Sequence, residues 1–390
     1  MEGVAKRLIH KKHLRTKISK LKRLVKNTVS SANWKVAEHN RNKLRLRDSV
    51  KLKFHFNMDK KISNRRVIFS APVRINYYQK NDYDLTNRFL GQIRDCLSSG
   101  RRVFIDFRNT KFISAAAMLS FLAEVDVLIK KHPNGNRCLN FSHPLEEKIE
   151  SILVQVGFYD LIKKEKRETK DFDDVTFWKY SSGSCSEPII AKEMIAEIKK
   201  ELAQRASKKL YRGFIEAMSN SVEHAYLNEP GNNSSIEKDE QDNAAKWWTF
   251  AGIREKQLIV VICDKGVGIP NTLPKTQGVT ALRNLFDKMG YSLDNVKDSV
   301  FIKASTAVQK TRTGERYRGK GLKDIKAVID IIGSGYMSIF SNKGKYIYRG
   351  NSGKIKELVF DHKSSVRGTI IEWSIPCDME LLKDENVKSS

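Results

Sequence analysis

Cysteine is scarce in this chain: only 5 occur in 390 residues. Cys96, Cys138, Cys185, Cys263 and Cys377 are scattered without CxxC spacing, which argues against a disulfide framework and against a zinc site. Cys263 and Cys377 lie in or beside apolar runs and are read as space-filling residues. No stretch approaches the ~18 consecutive apolar residues of a membrane span. The basic start lacks the apolar segment of a secretory signal, and its length and Lys excess set it apart from an organelle transit peptide. A cytoplasmic protein is expected. No internal repeat is found. At 40% hydrophobic content the chain is long enough for two or three domains with real cores.

Acidic residues are also in short supply, 45 Asp and Glu against 72 Lys and Arg, and the imbalance is local. Met1 to Arg66 hold 21 Lys and Arg against 4 Asp and Glu, so most of the whole-chain excess of +27 sits in the first sixth. Leu14, Ile18, Leu21 and Leu24 recur there at helical spacing, which predicts an amphipathic, strongly basic helical arm over residues 1–65. Clustered cations fit nucleic acid, whose phosphates they neutralise with counterion release. An anionic membrane surface or an acidic protein fits them too, as does a solvated helix packing its apolar stripe on the rest of the chain. Trp34, Phe54 and Phe56 are the arm's only aromatics. Base stacking is therefore disfavoured and contact with the phosphate backbone preferred.

Three short segments carry the chemistry. In EAMSNSVEHAY, Glu216, Asn220 and Glu223 share one helical face, and Phe214, Ala217, Met218, Ser221, Val222 and Ala225 form the opposite, core-facing stripe. Hard oxygen donors presented in register suit a magnesium ion and a proton acceptor. In LIVVICDKGVGIP, the run Leu258 to Ile262 predicts a buried strand with Asp264 at its end, followed by Gly266 and Gly268, which can take positive φ and bring backbone close to a ligand. In RGKGL, Gly319 and Gly321 precede an amphipathic run of Leu322, Ile325, Val328 and Ile329. Backbone amides at such a helix start attract phosphate, and Arg318 and Lys320 add charge.

In order and spacing these segments, with Gly368-Thr369 and Pro376 as a closing strand, resemble the GHKL ATP-binding fold of gyrase, heat-shock chaperone, histidine kinase and MutL, an α/β sandwich of Bergerat type. The resemblance implies ATP and Mg2+ as cofactors, Asn220 as the metal ligand and Glu216 as general base. It implies Asp264 as the reader of the adenine amino group, supported by Thr369. Gly266 and Gly268 would line the base pocket, Arg318, Gly319, Lys320, Gly321 and Leu322 would meet the phosphates, and Gly278 to Tyr317 would form a lid whose mobile run is Lys310 to Gly314. The Glu216, Asn220, His224 pattern is similar to that of the anti-sigma-factor serine kinases, although His224 itself is read as a polar residue near the end of the helix. His143 is the candidate for a histidine-kinase acceptor and is rejected: Pro144 stands where an acidic residue follows such an acceptor, so His143 is read as a loop residue before a helix starting at Pro144.

Upstream, Val103 to Phe107 and Arg137 to Phe141 read as strands, and Ser114 to Val127 and Pro144 to Val156 as helices. This alternation resembles a STAS domain, the fold of anti-sigma-factor antagonists, over 66–162. Where phosphorylatable members carry Asp-Ser-Ser-Gly, the chain has Ser114-Ala115-Ala116-Ala117. Ser114 is read as a helix N-cap, and the module as a docking or regulatory one that could bind a protein partner. A linker over 163–187, an ATP-binding domain over 188–380, interrupted by a disordered-type loop at Leu227 to Asn243, and a tail over 381–390 complete the division. Trp247, Trp248 and Phe250 are expected in the core. The fold class expected is thus α/β, which the resemblances would make a GHKL-like sandwich, a smaller STAS-like domain and a basic helical arm. Hydrolysis of ATP, phosphoryl transfer to a partner, a non-hydrolysing nucleotide-gated binding module and a scaffold all remain open at this level.

Overall fold

The computed structural model describes residues 62–63, 66–177, 180–185, 204–226, 245–292, 296–307 and 323–377. The basic helix, the loop at 227–243, the RGKGL segment, the run Lys310 to Gly314 and the tail lie outside them. Residues Lys60–Leu273 and Lys297–Ser390 belong to one compact unit, whereas Pro274–Val296 fall outside it. The fold is mixed α/β.

The order of elements is β1 (Ile62–Ser63), β2 (Arg66–Ser70), β3 (Arg74–Ile75), α1 (Lys80–Ser98), β4 (Arg102–Asp106), β5 (Phe112–Ile113), α2 (Ala115–Lys131), β6 (Leu139–Ser142), α3 (Glu147–Gln155), α4 (Phe158–Leu161), β7 (Val175–Phe177) and β8 (Ser181–Gly183). Then come α5 (Gln204–Glu223), β9 (Trp247–Arg254), β10 (Gln257–Asp264), α6 (Ile269–Gln277), α7 (Val279–Lys288), α8 (Asp298–Ala307), α9 (Lys323–Ile332), β11 (Gly335–Ser341), β12 (Gly344–Asn351), β13 (Lys354–Asp361) and β14 (Thr369–Pro376). Helix α7, with the end of α6, is the described part of Pro274–Val296.

A small sheet in the order β1-β2-β4-β6 is parallel from β2 to β6, as expected where helices connect successive strands. A large antiparallel sheet runs β13-β12-β11-β14-β10-β9-β7, with β8 also on β9. Strand β10 lies between β14 and β9 and is buried on both faces, which explains its unbroken apolar run. Leu258, Val260 and Ile262 share a core with α5, α8 and α9. Ile259, Val261 and Cys263 point into the other core, where α2 packs on β9, β10 and β14. The tandem tryptophans split likewise, Trp247 into the first core and Trp248 into the second.

Helix α2 is therefore shared. Residues Ala115 to Val125 are all buried, in the same core as Val67, Val103 and Leu139 of the small sheet. Three consecutive alanines at its start allow close approach to β14, where the Ala116 N–H donates to Glu372 Oε2 at 2.9 Å. Ser114 occupies the N-cap position, but its side chain makes no capping bond. The expected serine cap is thus corrected: a buried carboxylate from the large sheet satisfies the helix end instead.

Other boundaries shift for local reasons. Helix α3 starts at Glu147, three residues past Pro144, and the stretch before β6 is a 3-10 turn over Gly135–Cys138. The expected linker supplies β7 and β8 to the large sheet. β1, inside the expected arm, pairs with β2. Within the expected lid, α8 buries Val300, Phe301, Ile302 and Ala304 and packs on β12, so this part is core rather than cover.

Candidate functional site

The end of β10, the start of β14 and the end of α5 meet around Asp264. The β10–β14 register sets Asp264 opposite Thr369. Asp264 Oδ1 accepts the N–H of Gly266 at 2.9 Å and that of Thr369 at 3.2 Å. Burial pushes its carboxyl up to about 7, against the opposing pull of those amides and of Lys265. Thr369 is buried, and its hydroxyl pairs with Ser341 Oγ at 3.0 Å. Held by two backbone amides, and with the Thr369 hydroxyl as a further hydrogen-bonding neighbour, this buried carboxylate is an acceptor fixed in orientation.

Helix α5 reaches this corner through its carboxyl end. The Val267 N–H donates to Ala225 O at 2.7 Å, and the Lys265 N–H to Tyr226 Oη at 3.2 Å. One turn back, Asn220 Nδ2 donates to Glu216 O at 2.8 Å and to Glu216 Oε1 at 3.2 Å. Both bonds use the amide nitrogen, so the carboxamide oxygen, the atom able to ligate a hard cation, is not committed to Glu216. Glu216 and Asn220 are half-buried, Glu223 exposed, and Phe214, Ala217, Met218 and Ser221 buried, as the helical spacing predicts. His224 follows the helix, its Nε2 3.9 Å from Glu223 Oε2.

No protein-family model matches the chain, and no curated protein matches it at a significant level.

The glycines around Asp264 pack against the chain itself. A Cβ on Gly266 would sit 2.1 Å from the Ala225 carbonyl oxygen, and one on Gly368 2.2 Å from the Asp264 oxygen. Both are glycine because backbone meets backbone, which brings α5 and β14 onto the end of β10. Gly268 takes φ +83, and a Cβ there would meet Asn342 Nδ2 at 2.6 Å. The contacts at Gly266 and Gly268 are thus with the chain itself. Arg318, Gly319, Lys320, Gly321 and Leu322 lie outside the described residues. Helix α9, which follows them, packs along α5 with Ile325, Val328 and Ile329 fully buried.

Sequence reasoning missed several polar residues near the site. Asn342 Nδ2 holds Val267 O at 2.9 Å, and Ser341 Oγ accepts the Ile269 N–H at 2.9 Å, fixing the turn after Asp264. Glu372 is buried, burial pushes its carboxyl upward, and Tyr336 Oη donates to it at 3.3 Å. Glu124 of α2 lies in the core with Arg94 and Lys265 around it. Although burial opposes it, those two cations hold its carboxyl down at about 2. The available signal was a charge inside an apolar run: Glu372 in TIIEWSIP and Glu124 in MLSFLAEVDVLI. His143, read as a loop residue, follows β6 and pairs through Nδ1 with Glu150 at 3.0 Å and with Tyr159 at 2.7 Å.

Proposed function

We propose that this chain is an ATP-binding regulatory protein, in which a GHKL-type pocket at the end of β10 takes Mg-ATP and either hydrolyses it or passes a phosphoryl group to a partner. The observation that carries this reading is Asp264, a buried carboxylate with Oδ1 fixed by two amides and set against the helix that bears Glu216 and Asn220. The residues fit the group. The exocyclic amino group of adenine is a neutral donor suited to a buried carboxylate, and it adds a hydrogen bond to Asp264 without bringing in charge. Magnesium keeps several waters and phosphate oxygens and asks few protein ligands. One amide oxygen on Asn220 is therefore a sufficient protein contribution. Bound magnesium would neutralise phosphate charge.

In this reading Glu216, one turn from Asn220, accepts the proton of the attacking water or partner hydroxyl. Arg318, Gly319, Lys320, Gly321 and Leu322 meet the phosphates. The small parallel sheet with its helices is a STAS-like docking or regulatory module, and residues 1–65 engage nucleic acid through its phosphates. Incubation with labelled Mg-ATP tests the chemistry. Label released as free phosphate marks an ATPase, label on protein marks a kinase, and in either case Glu216→Ala should abolish turnover while leaving nucleotide bound. Turnover unaltered in Glu216→Ala would remove the base role.

A further inference from the structure

The residue after Asp264 is tied into the smaller sheet's helix. Lys265 has a nearly buried side chain that crosses to α2, where Nζ donates to Ser120 Oγ at 2.8 Å and lies 3.5 Å from Glu124 Oε2. Glu124 is clasped from the other side by the Arg94 fork, with Nε to Oε1 at 2.5 Å and Nη2 to Oε2 at 2.6 Å. Ser120 Oγ also accepts the Tyr77 hydroxyl at 3.2 Å. The backbone N–H of Lys265 is held in turn by Tyr226, so this lysine is fixed at both ends. The neighbouring strand β14 is tied to α2 as well, three residues beyond Thr369, through Glu372 and the Ala116 N–H.

Buried ion groups of this kind add little net stability over an apolar core, whereas their geometry is demanding. Here they fix the residue that follows one carboxylate, whose Oδ1 already depends on the Gly266 and Thr369 amides for its orientation. A hydrogen-bond acceptor discriminates between bases only as well as it is aimed.

We propose that Glu124 and Ser120 of α2 are positioning residues for base selection: by clamping Lys265 they aim Asp264 at the exocyclic amino group of adenine, so the smaller module helps build the nucleotide site as well as docking partners. This rests on the Mg-ATP reading above. It assigns to α2 a specificity role that a detachable regulatory module would not have.

The test is calorimetric titration of the full chain with Mg-ATP and with Mg-ITP, in which a carbonyl replaces the amino group. Wild type should favour ATP by about 30-fold, and Asp264→Asn should erase that preference. Glu124→Gln keeps the side chain's shape and an acceptor oxygen but loses the charge. It should weaken ATP binding by about tenfold while ITP affinity changes by less than about twofold. Ser120→Ala deletes one bond to the same lysine with all charges kept, and should lower the ratio by about threefold even if Glu124→Gln does not fold. Equal losses for both nucleotides, or an unchanged ratio in both variants, would overturn the positioning role and leave the nucleotide site standing. Wild type that binds neither nucleotide would overturn the site and the positioning role together.

Discussion

Replacing Asp264 by Asn should stabilise the unliganded protein above neutral pH. Burial raises the carboxyl from 3.8 to about 7, and each unit corresponds to about 1.4 kcal/mol, so keeping this group ionised costs the empty fold up to about 4 kcal/mol. An acid whose folded value lies above its unfolded one binds extra protons when folded. Its contribution to stability is therefore lost as pH rises from about 4 to about 7 and stays lost above that window. Asn retains a carbonyl oxygen for the Gly266 and Thr369 amides, though its NH2 group must find an acceptor, which takes back about 1–3 kcal/mol. Urea unfolding should thus find Asp264→Asn equal to wild type or up to about 2 kcal/mol less stable at pH 4.5, and more stable by about 1–3 kcal/mol at pH 8. A difference that is independent of pH, or a variant less stable than wild type at pH 8, would refute the desolvation argument. The same substitution should weaken Mg-ATP binding by about 30-fold, the trade expected where a site keeps a costly buried group for its ligand.

Gly266→Ala should destabilise by roughly 2–4 kcal/mol in urea unfolding, because its Cβ runs into the Ala225 carbonyl. Gly91→Ala, in α1 with nothing within 4 Å, should stabilise by about 0.5–1 kcal/mol. Glu372→Ala strips the acceptor from the buried Ala116 N–H and should cost about 2–4 kcal/mol of unfolding free energy, whereas Glu372→Gln, which keeps an oxygen there, should cost less than about 1 kcal/mol. For the basic arm, DNA affinity should fall steeply between 50 and 200 mM salt, by roughly a thousandfold if about six phosphates are contacted. Deleting residues 1–59 should abolish that binding, and binding unchanged by the deletion would remove the arm from the account.

Much of the large sheet's centre was legible because its pattern is unusual. A run such as Leu258 to Ile262 has no polar face, and burial against α2 on one side and α5 on the other is what that pattern demands. Asp264 was legible for the same reason, as the first charge after that run. The α5 stripe could be read from helical period alone. Other elements hid behind polarity. Helix α1 buries Tyr83, Phe89, Leu90, Ile93 and Leu97, yet its polar majority masks that spacing, and β13 is exposed along most of its length. The two-residue turns of the β11–β13 meander carry positive φ at Asn342 and Ser352, positions where sequence offers only a weak hint. Least legible was the joint between the sheets. Ser114 has the chemistry of an N-cap, and nothing local says that Glu372, more than 250 residues later, takes the position instead. The glycines of the site carry a packing demand that their spacing does not reveal: Gly266 lies against the Ala225 carbonyl.

The central claim is an adenine nucleotide held by Asp264 and supported by Asn220, and calorimetric titration of the full chain with Mg-ATP at pH 8 tests it most directly. One saturable site should appear for wild type, weakened at least about tenfold in Asn220→Ala and by about 30-fold in Asp264→Asn. Absence of binding heat in wild type at several temperatures, or equal heats in all three proteins, would contradict it.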